Sequence, residues 1–283
     1  MRLGKPAFCL LCKKLRLLSL FLVAPHGQNR AMLKRSGPIV SMKETSNNAR
    51  RKTLWALLAI FAAGMTSAAA LAQQVKVSDT IAQRALACAA CHGKEGRATS
   101  DGFFPRIAGK PAGYLFNQLV NFQQGRRQYP MMTYMVAHMS DDYLKEISRY
   151  FAEQHPPYAP PQPVTTTPAL LERGRLLVNS GDASKNVPAC VACHGARLTG
   201  VLPSIPGIVG LPRDYLNAQF GAWKNGARST PAPDCMAQIS RKLAPEDVGA
   251  VSAWLAAQPA PGDMMPAPAG SIKLPVSCGS ASQ

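Results

Sequence analysis

The sequence predicts an all-α fold of two tandem helical domains preceded by a signal segment. Three observations carry that expectation. A pentapeptide, Cys88-Ala-Ala-Cys91-His92, recurs as Cys190-Val-Ala-Cys193-His194, 102 residues later. Matching residues extend in one register far beyond that motif, as an internal duplication requires. Apolar residues recur at helical spacing, and no run alternates as a half-buried strand would. A chain of 283 residues is long enough for two small domains with their own cores.

Residues 1–72 read as a targeting segment. Met42-Lys43 through Arg50-Arg51-Lys52 gives a basic n-region, Leu54 to Met65 an apolar h-region, and Ala70-Leu71-Ala72 a small-residue cleavage signal, with cleavage expected after Ala72. The uncharged run from Thr53 to Gln74 is also long enough for an uncleaved anchor, but its drift into Ala, Ser and Gly after Met65 favours a signal. Residues 1–41 read as a mis-assigned start ahead of an initiator at Met42. Their Cys9 and Cys12 are followed by Lys13, so this C-x-x-C lacks the His of the other two. The segment also explains most of the charge. It holds 12 Lys and Arg against one acid, Glu44, and so accounts for +11 of the formal +17. The remaining +6 is too little to argue for nucleic acid, though it suits steering toward acidic protein partners.

The first domain is expected over residues 73–155 and the second over 169–260. A Pro-rich linker, 156–168, divides them, and a Pro-, Gly- and Ser-containing tail, 261–283, follows and either wraps the surface or is mobile. At an offset of 101, Pro105, Ile107, Gly109, Tyr114, Leu115, Gln118, Gly125 and Arg127 match Pro206, Ile208, Gly210, Tyr215, Leu216, Gln219, Gly226 and Arg228. At an offset of 104 the match resumes, with Ile147, Tyr150, Phe151 and Gln154 opposite Val251, Trp254, Leu255 and Gln258. Tyr114 to Gln124 forms a helix with Leu115, Leu119 and Phe122 on one face. Asp141 to Gln154 forms another, with Leu144, Ile147 and Phe151 inward and Ser140 or Asp141 as its cap. Pro245, Glu246 and Asp247 start the last helix, where proline and acids suit a first turn.

C-x-x-C-H is the attachment signature of c-type haem. Two thiols one helical turn apart bond the haem vinyl groups, and the adjacent imidazole reaches the iron. Cys88 and Cys91 would hold one haem with His92 as axial ligand, and Cys190 and Cys193 a second with His194. Zinc knuckles would pair across about 15–20 residues, far less than the gap here. Two covalently bound haem c groups are therefore expected, and their four propionates would offset much of the residual positive charge.

A second axial ligand should come from late in each unit. Met236 is the sole Met between His194 and the tail pair Met264-Met265, whereas the first unit offers Met131, Met132, Met135 and Met139, with His138 as a bis-His alternative. The repeat selects Met132, which lies eight residues before Ser140 as Met236 lies eight before Ala244. The other Met residues are expected to pack around the haem. Cys235 and Cys278 remain in the mature chain. An even remainder in an oxidising compartment suggests a disulfide, and the alternative is Cys235 as a thiolate ligand.

With its two C-x-x-C-H units, the run Phe104-Pro105-Arg106-Ile107-Ala108-Gly109 followed by Tyr114-Leu115 and Gln118-Leu119, and Met132 and Met135 before Ser140-Asp141, the chain resembles the dihaem cytochrome c4 family over about residues 79–258. The resemblance implies two cytochrome c-like domains related by a pseudo-twofold axis, with haem edges facing across the interface. It implies that the carbonyls of Pro105 and Pro206 accept hydrogen bonds from His92 and His194, which fixes the rings. It further implies a periplasmic electron carrier, often associated with the membrane surface, between a quinol-cytochrome c reductase and a terminal oxidase. Leu202-Pro203-Ser204-Ile205-Pro206 departs from the family by lacking the aromatic. Gly174 is suited to close packing against Trp254, whereas the first unit has Gln83 and Ala82 where that Gly would be expected, and the Cys pair and long tail are additions. Two other functions stay open: the cytochrome subunit of a periplasmic dehydrogenase docked through the tail, and a haem enzyme such as a thiosulfate dehydrogenase, which would need an open or Cys-ligated iron. No residue is assigned a catalytic role.

Overall fold

The computed structural model describes residues 47–69, 77–100 and 102–281, which fall into two compact units, one within residues 1–74 and one over 75–283. The first unit contains the helix α1, Asn47–Ala69, which carries the apolar run with Leu54, Trp55, Leu57, Leu58, Ile60 and Phe61 exposed. No helix among the described residues is long and apolar enough to cross a membrane. The expected initiator Met42, the cleavage point after Ala72 and the Cys9–Cys12 pair lie outside the described residues.

In the second unit each repeat builds five α-helices among the described residues. The first repeat contributes α2 (Ile81–Arg84), α3 (Leu86–His92), α4 (Ala112–Gln123), α5 (Pro130–Val136) and α6 (Asp141–Ala152). The second contributes α7 (Pro168–Asn179), α8 (Val191–His194), α9 (Arg213–Lys224), α10 (Cys235–Lys242) and α11 (Pro245–Ala256). The two first-repeat helices read from periodicity are present as α4 and α6 within two residues of their expected ends, and the helix expected to start at Pro245 is α11. Ser140 caps α6 by accepting the Tyr143 amide at 3.3 Å, and Thr167 caps α7 by accepting that of Leu170 at 3.3 Å with Pro168 at the first helical position. An addition to the all-helical expectation is a ribbon of β1 (Gly200–Val201) and β2 (Ile205–Pro206), antiparallel and two residues long on each side. Strands that short carry no alternation to detect.

The inward faces define the cores. Leu144, Ile147 and Phe151 of α6 are buried against Leu115 and Phe122 of α4, each contributing roughly 1.5–3 kcal/mol on removal from water. In the second repeat α11 lies on α7 and α9 around Leu177, Val178, Leu216, Phe220, Val251 and Leu255. The α7–α11 crossing is close because Gly174 lacks a side chain: a Cβ there would lie 2.2 Å from the Ala250 carbonyl oxygen and 2.9 Å from the Trp254 Cβ.

Asp247, at the start of α11, is 5% exposed and ties this core to the preceding loop. It accepts hydrogen bonds from Arg173 Nε at 2.8 Å, Lys185 Nζ at 2.6 Å and the Ala244 amide at 3.3 Å. Burial pushes its carboxyl up, but these three donors together outweigh burial and hold it below its ordinary 3.8. A depressed folded-state pKa contributes stability that is present above the unfolded value and lost as pH falls through the folded one. Asp247→Asn is therefore expected to cost about 2 kcal/mol at pH 7. Urea unfolding of both proteins would show that deficit shrinking below pH 3.8.

The Pro-rich segment is pinned rather than free. Arg106 donates to the carbonyls of Pro156 at 2.5 Å and Pro157 at 3.1 Å and lies 3.7 Å over the Tyr158 ring. The tail wraps the surface. Ala267 pairs with Val201 as a parallel bridge, Thr199 Oγ1 donates to the Met265 carbonyl at 3.0 Å, and Asn117 of the first repeat donates to the Ser280 carbonyl at 3.1 Å.

Candidate functional site

Both pentapeptides end their helix at the histidine, and a glycine turns the chain. Gly93 has φ of 76° and Gly195 of 81°, a region costly for any residue with a Cβ. At Gly93 a Cβ would also meet the Ala98 carbonyl oxygen at 2.3 Å. That turn delivers the following loop back beneath the ring. The Pro105 carbonyl accepts from His92 Nδ1 at 2.9 Å, and the Pro206 carbonyl from His194 Nδ1 at 2.8 Å. A carbonyl can only accept, so each Nδ1 carries the proton and each Nε2 keeps a lone pair for a metal. Burial pushes both imidazoles below their ordinary pKa, and each also feels a cation from its surroundings, Arg127 for His92 and Lys110 for His194. Both rings are thereby held neutral, the form that ligates. The hydrogen bonds are those the resemblance implied.

One cavity of about 820 Å³ is lined by Cys88, Cys91, His92 and Met132 from the first repeat and by Cys190, Cys193, His194 and Met236 from the second. The structure brings all eight site residues to its wall. The four motif cysteines are free thiols, and among the described residues no three His, Cys, Asp or Glu side chains are placed to hold a metal ion. This donor set, two thiols and one imidazole per site, suits a covalently attached haem better than zinc, which takes four protein ligands in structural sites. Met132 and Met236 sit in the first turns of α5 and α10, helices that periodicity did not reveal. Met131, Met135 and Met139 also line the cavity, whereas His138 is exposed and away from it. Met236 is the one methionine of the second repeat on the wall among the described residues.

Cys235 is bonded to Cys278, the pairing suggested by the even cysteine remainder, which removes Cys235 as a free thiolate. The bridge closes 43 residues and brings Leu274, Val276 and Cys278 to the cavity wall. In the chain-entropy model it contributes about 4 kcal/mol. A thiol assay on the folded, haem-loaded protein starting at Gln73 is expected to find no reactive group, and Cys235→Ser/Cys278→Ser is expected to lower the unfolding free energy by up to about that amount.

The resemblance implied a pseudo-twofold interface between the repeats, and the residues that build it are ones the motif reading did not name. Residues 101 apart exchange roles across it. Gln128 N donates to the Ala227 carbonyl at 2.8 Å, and Ser229 N donates to that of Arg126 at 2.6 Å. Arg127 donates to its own Gln118 and across to Gln219 and Tyr215, at 3.0, 2.9 and 3.3 Å. Arg228 donates to its own Gln219 and across to Gln118 and Tyr114, at 2.7, 2.9 and 3.3 Å. This reciprocity is the mark of a twofold contact, here within one chain. Gln118, Gln219, Arg127 and Arg228 already stood out as matched pairs, so the repeat held a signal for them. Neither arginine is in an ion pair among the described residues. Arg228 Nε and the stacked Trp223 Nε1 are buried donors on the cavity wall without a protein acceptor. Buried donors of that kind require an acceptor, and haem propionates supply acceptors of the right charge.

A tandem pair of thiol–thiol–imidazole sites, folded as two helical repeats around one cavity, defines a dihaem electron-transfer protein. The chain is 36% identical over 175 residues to a thiosulfate dehydrogenase electron acceptor of Thiomonas intermedia, covering 62% of this chain and 80% of the relative. It is 30% identical over 170 residues to a cytochrome c4 of Thiocapsa roseopersicina, covering 59% and 85%. Among solved structures, reduced cytochrome c4 from Pseudomonas stutzeri matches with a TM-score of 0.55 at 28% identity, over 62% of this chain and 96% of that one. No family model matches the chain. The chain belongs to the dihaem cytochrome c4 family, and with it carries two covalently bound haem c groups and transfers electrons.

Proposed function

We propose that this protein works in the periplasm as the electron acceptor of a dehydrogenase and passes the electrons on to a terminal oxidase. Cys88 and Cys91 hold the first haem and Cys190 and Cys193 the second. His92 and Met132 are the axial ligands of the first, and His194 and Met236 those of the second. A haem with His/Met ligation exchanges one electron at a raised potential without opening a coordination position. The chain's residues orient and enclose: the Pro105 and Pro206 carbonyls fix the imidazoles, the tail covers the second site, and Arg127, Arg228 and Trp223 stand at the interface where propionates need donors. The observation that carries this reading is the common cavity, whose wall presents a histidine and a methionine for each site. A carrier needs both axial positions filled, and an enzyme acting on a bound substrate needs one free. The dehydrogenase as donor is supported by the higher identity to a relative named for that role than to the cytochrome c4.

The test is stopped-flow mixing of the oxidised protein with a thiosulfate dehydrogenase and thiosulfate, followed by the haem α-band. Reduction of both haems at rates that fall with added salt is expected, because a positively charged carrier is steered to an acidic partner. Reduction by a quinol-cytochrome c reductase alone would move the donor to the quinol branch. Reduction by neither would overturn the carrier assignment.

A further inference from the structure

The twofold exchange across the interface is not returned at the loop before α4. Lys110, in the loop before α4, is 4% exposed, and its Nζ reaches across the interface to the Gly207 carbonyl at 2.6 Å. Gly207 follows Pro206, whose carbonyl holds His194. Three residues beyond Lys110, the Gly113 amide donates to the Pro203 carbonyl at 3.1 Å, so the first repeat braces the loop beneath the second histidine at two points. The residue matching Lys110 is Leu211, which has no charge to return. Arg106, the other buried cation nearby, is turned toward the carbonyls of Pro156 and Pro157 and the Tyr158 ring, and the cation that His194 feels is Lys110.

We propose that Lys110 is a potential-setting residue for the second haem, supplied by the first domain: its ammonium fixes the Pro206–Gly207 segment behind His194 and places a buried positive charge beside that site. A nearby cation disfavours the ferric state, which carries one more positive charge than the ferrous, and so raises the midpoint potential. In a buried setting the effect is weakly screened. Lys110 acts through the loop and the field, not as a ligand. The inference rests on the reading that His194 ligates a haem. Burial and the Arg106 guanidinium lower the Lys110 ammonium to about 7, so the charge is present in full only below neutrality.

The experiment uses the full, haem-loaded chain at pH 6, with each haem's midpoint read from its own resolved haem-methyl NMR resonances during a redox titration. Lys110→Gln keeps a donor for the Gly207 carbonyl and removes the charge, while Lys110→Arg keeps the charge. The expected result is a lower second midpoint in K110Q with the first unchanged, and a second midpoint near wild type in K110R. An unchanged second midpoint in K110Q, or an equal fall in both haems, overturns the proposal and leaves Lys110 as an interface brace. If K110Q fails to fold, a lowered second midpoint in K110R overturns it, because the charge is retained there. A pyridine haemochrome count of one haem per wild-type chain would instead overturn the two-site reading itself.

Discussion

Replacing Met236 by alanine is expected to lower the midpoint potential of the second haem by more than about 100 mV, a modest part of the roughly 0.8 V range that axial ligands span. It should also abolish that haem's sulfur-to-iron charge-transfer band. The thioether is a soft donor that favours ferrous iron, so its loss acts directly on the redox equilibrium. The site has no ready substitute. Asp234 caps α10 by accepting the Ala237 amide at 2.9 Å, which places Met236 in the first turn facing the cavity, and its neighbour Cys235 is locked to Cys278. The first site differs, because Met131, Met135 and Met139 line the cavity beside Met132. Met132→Ala should therefore have the smaller effect, with partial recovery of the band as another thioether is recruited. Visible absorption of the two ferric variants checks both statements. A Met236→Ala protein that kept the band on both haems would show the ligand to be misassigned.

Gly174→Val is expected to destabilise the second repeat by about 3 kcal/mol or more, at the upper end for overpacking. The obstacle is backbone: the new Cβ would lie 2.2 Å from the Ala250 carbonyl oxygen and 2.7 Å from its carbon, and a main-chain carbonyl within a helix cannot rotate aside. Separating α7 from α11 would open the core around Leu177, Val178, Val251 and Leu255, of which Leu177, Val251 and Leu255 line the cavity. Thermal unfolding should show an early transition in the second repeat, and haem content should fall toward one per chain. Gly249→Ala in α11, where an added Cβ meets nothing within 4 Å, is the control and should unfold no earlier than wild type, since Ala in a helix interior is favoured over Gly by roughly 0.5–1 kcal/mol.

What the sequence disclosed and what it withheld follow one physical division. Covalent attachment needs a fixed local spacing, so Cys88, Cys91 and His92 and their repeat were legible as a motif. Helices α4 and α6 were legible as apolar faces, because each buries one side against the other, and α11 by the proline and acids of its first turn; α9 showed only as residues matching those of α4. The positions of Met132 and Met236 came from comparing the repeats, since α5 and α10 span 7 and 8 residues, too few for a periodic face. The Arg127–Arg228 contact and the clasp of Arg106 on Pro156 and Pro157 join residues distant in the chain, on which local pattern carries no information, and the ribbon is too short to alternate. Lys110 lay deepest, because one lysine in a loop reads as a solvated charge until the partner domain is seen to bury it.

Two His/Met haems enclosed in one chain would be distinguished from any other ligation by a potentiometric titration of the intact, haem-loaded protein followed by EPR and visible absorption. Two one-electron steps at positive potential are expected, each from a low-spin ferric haem with a sulfur-to-iron band. A high-spin haem, a thiolate-type signal or a bis-His spectrum at either step would contradict His/Met ligation.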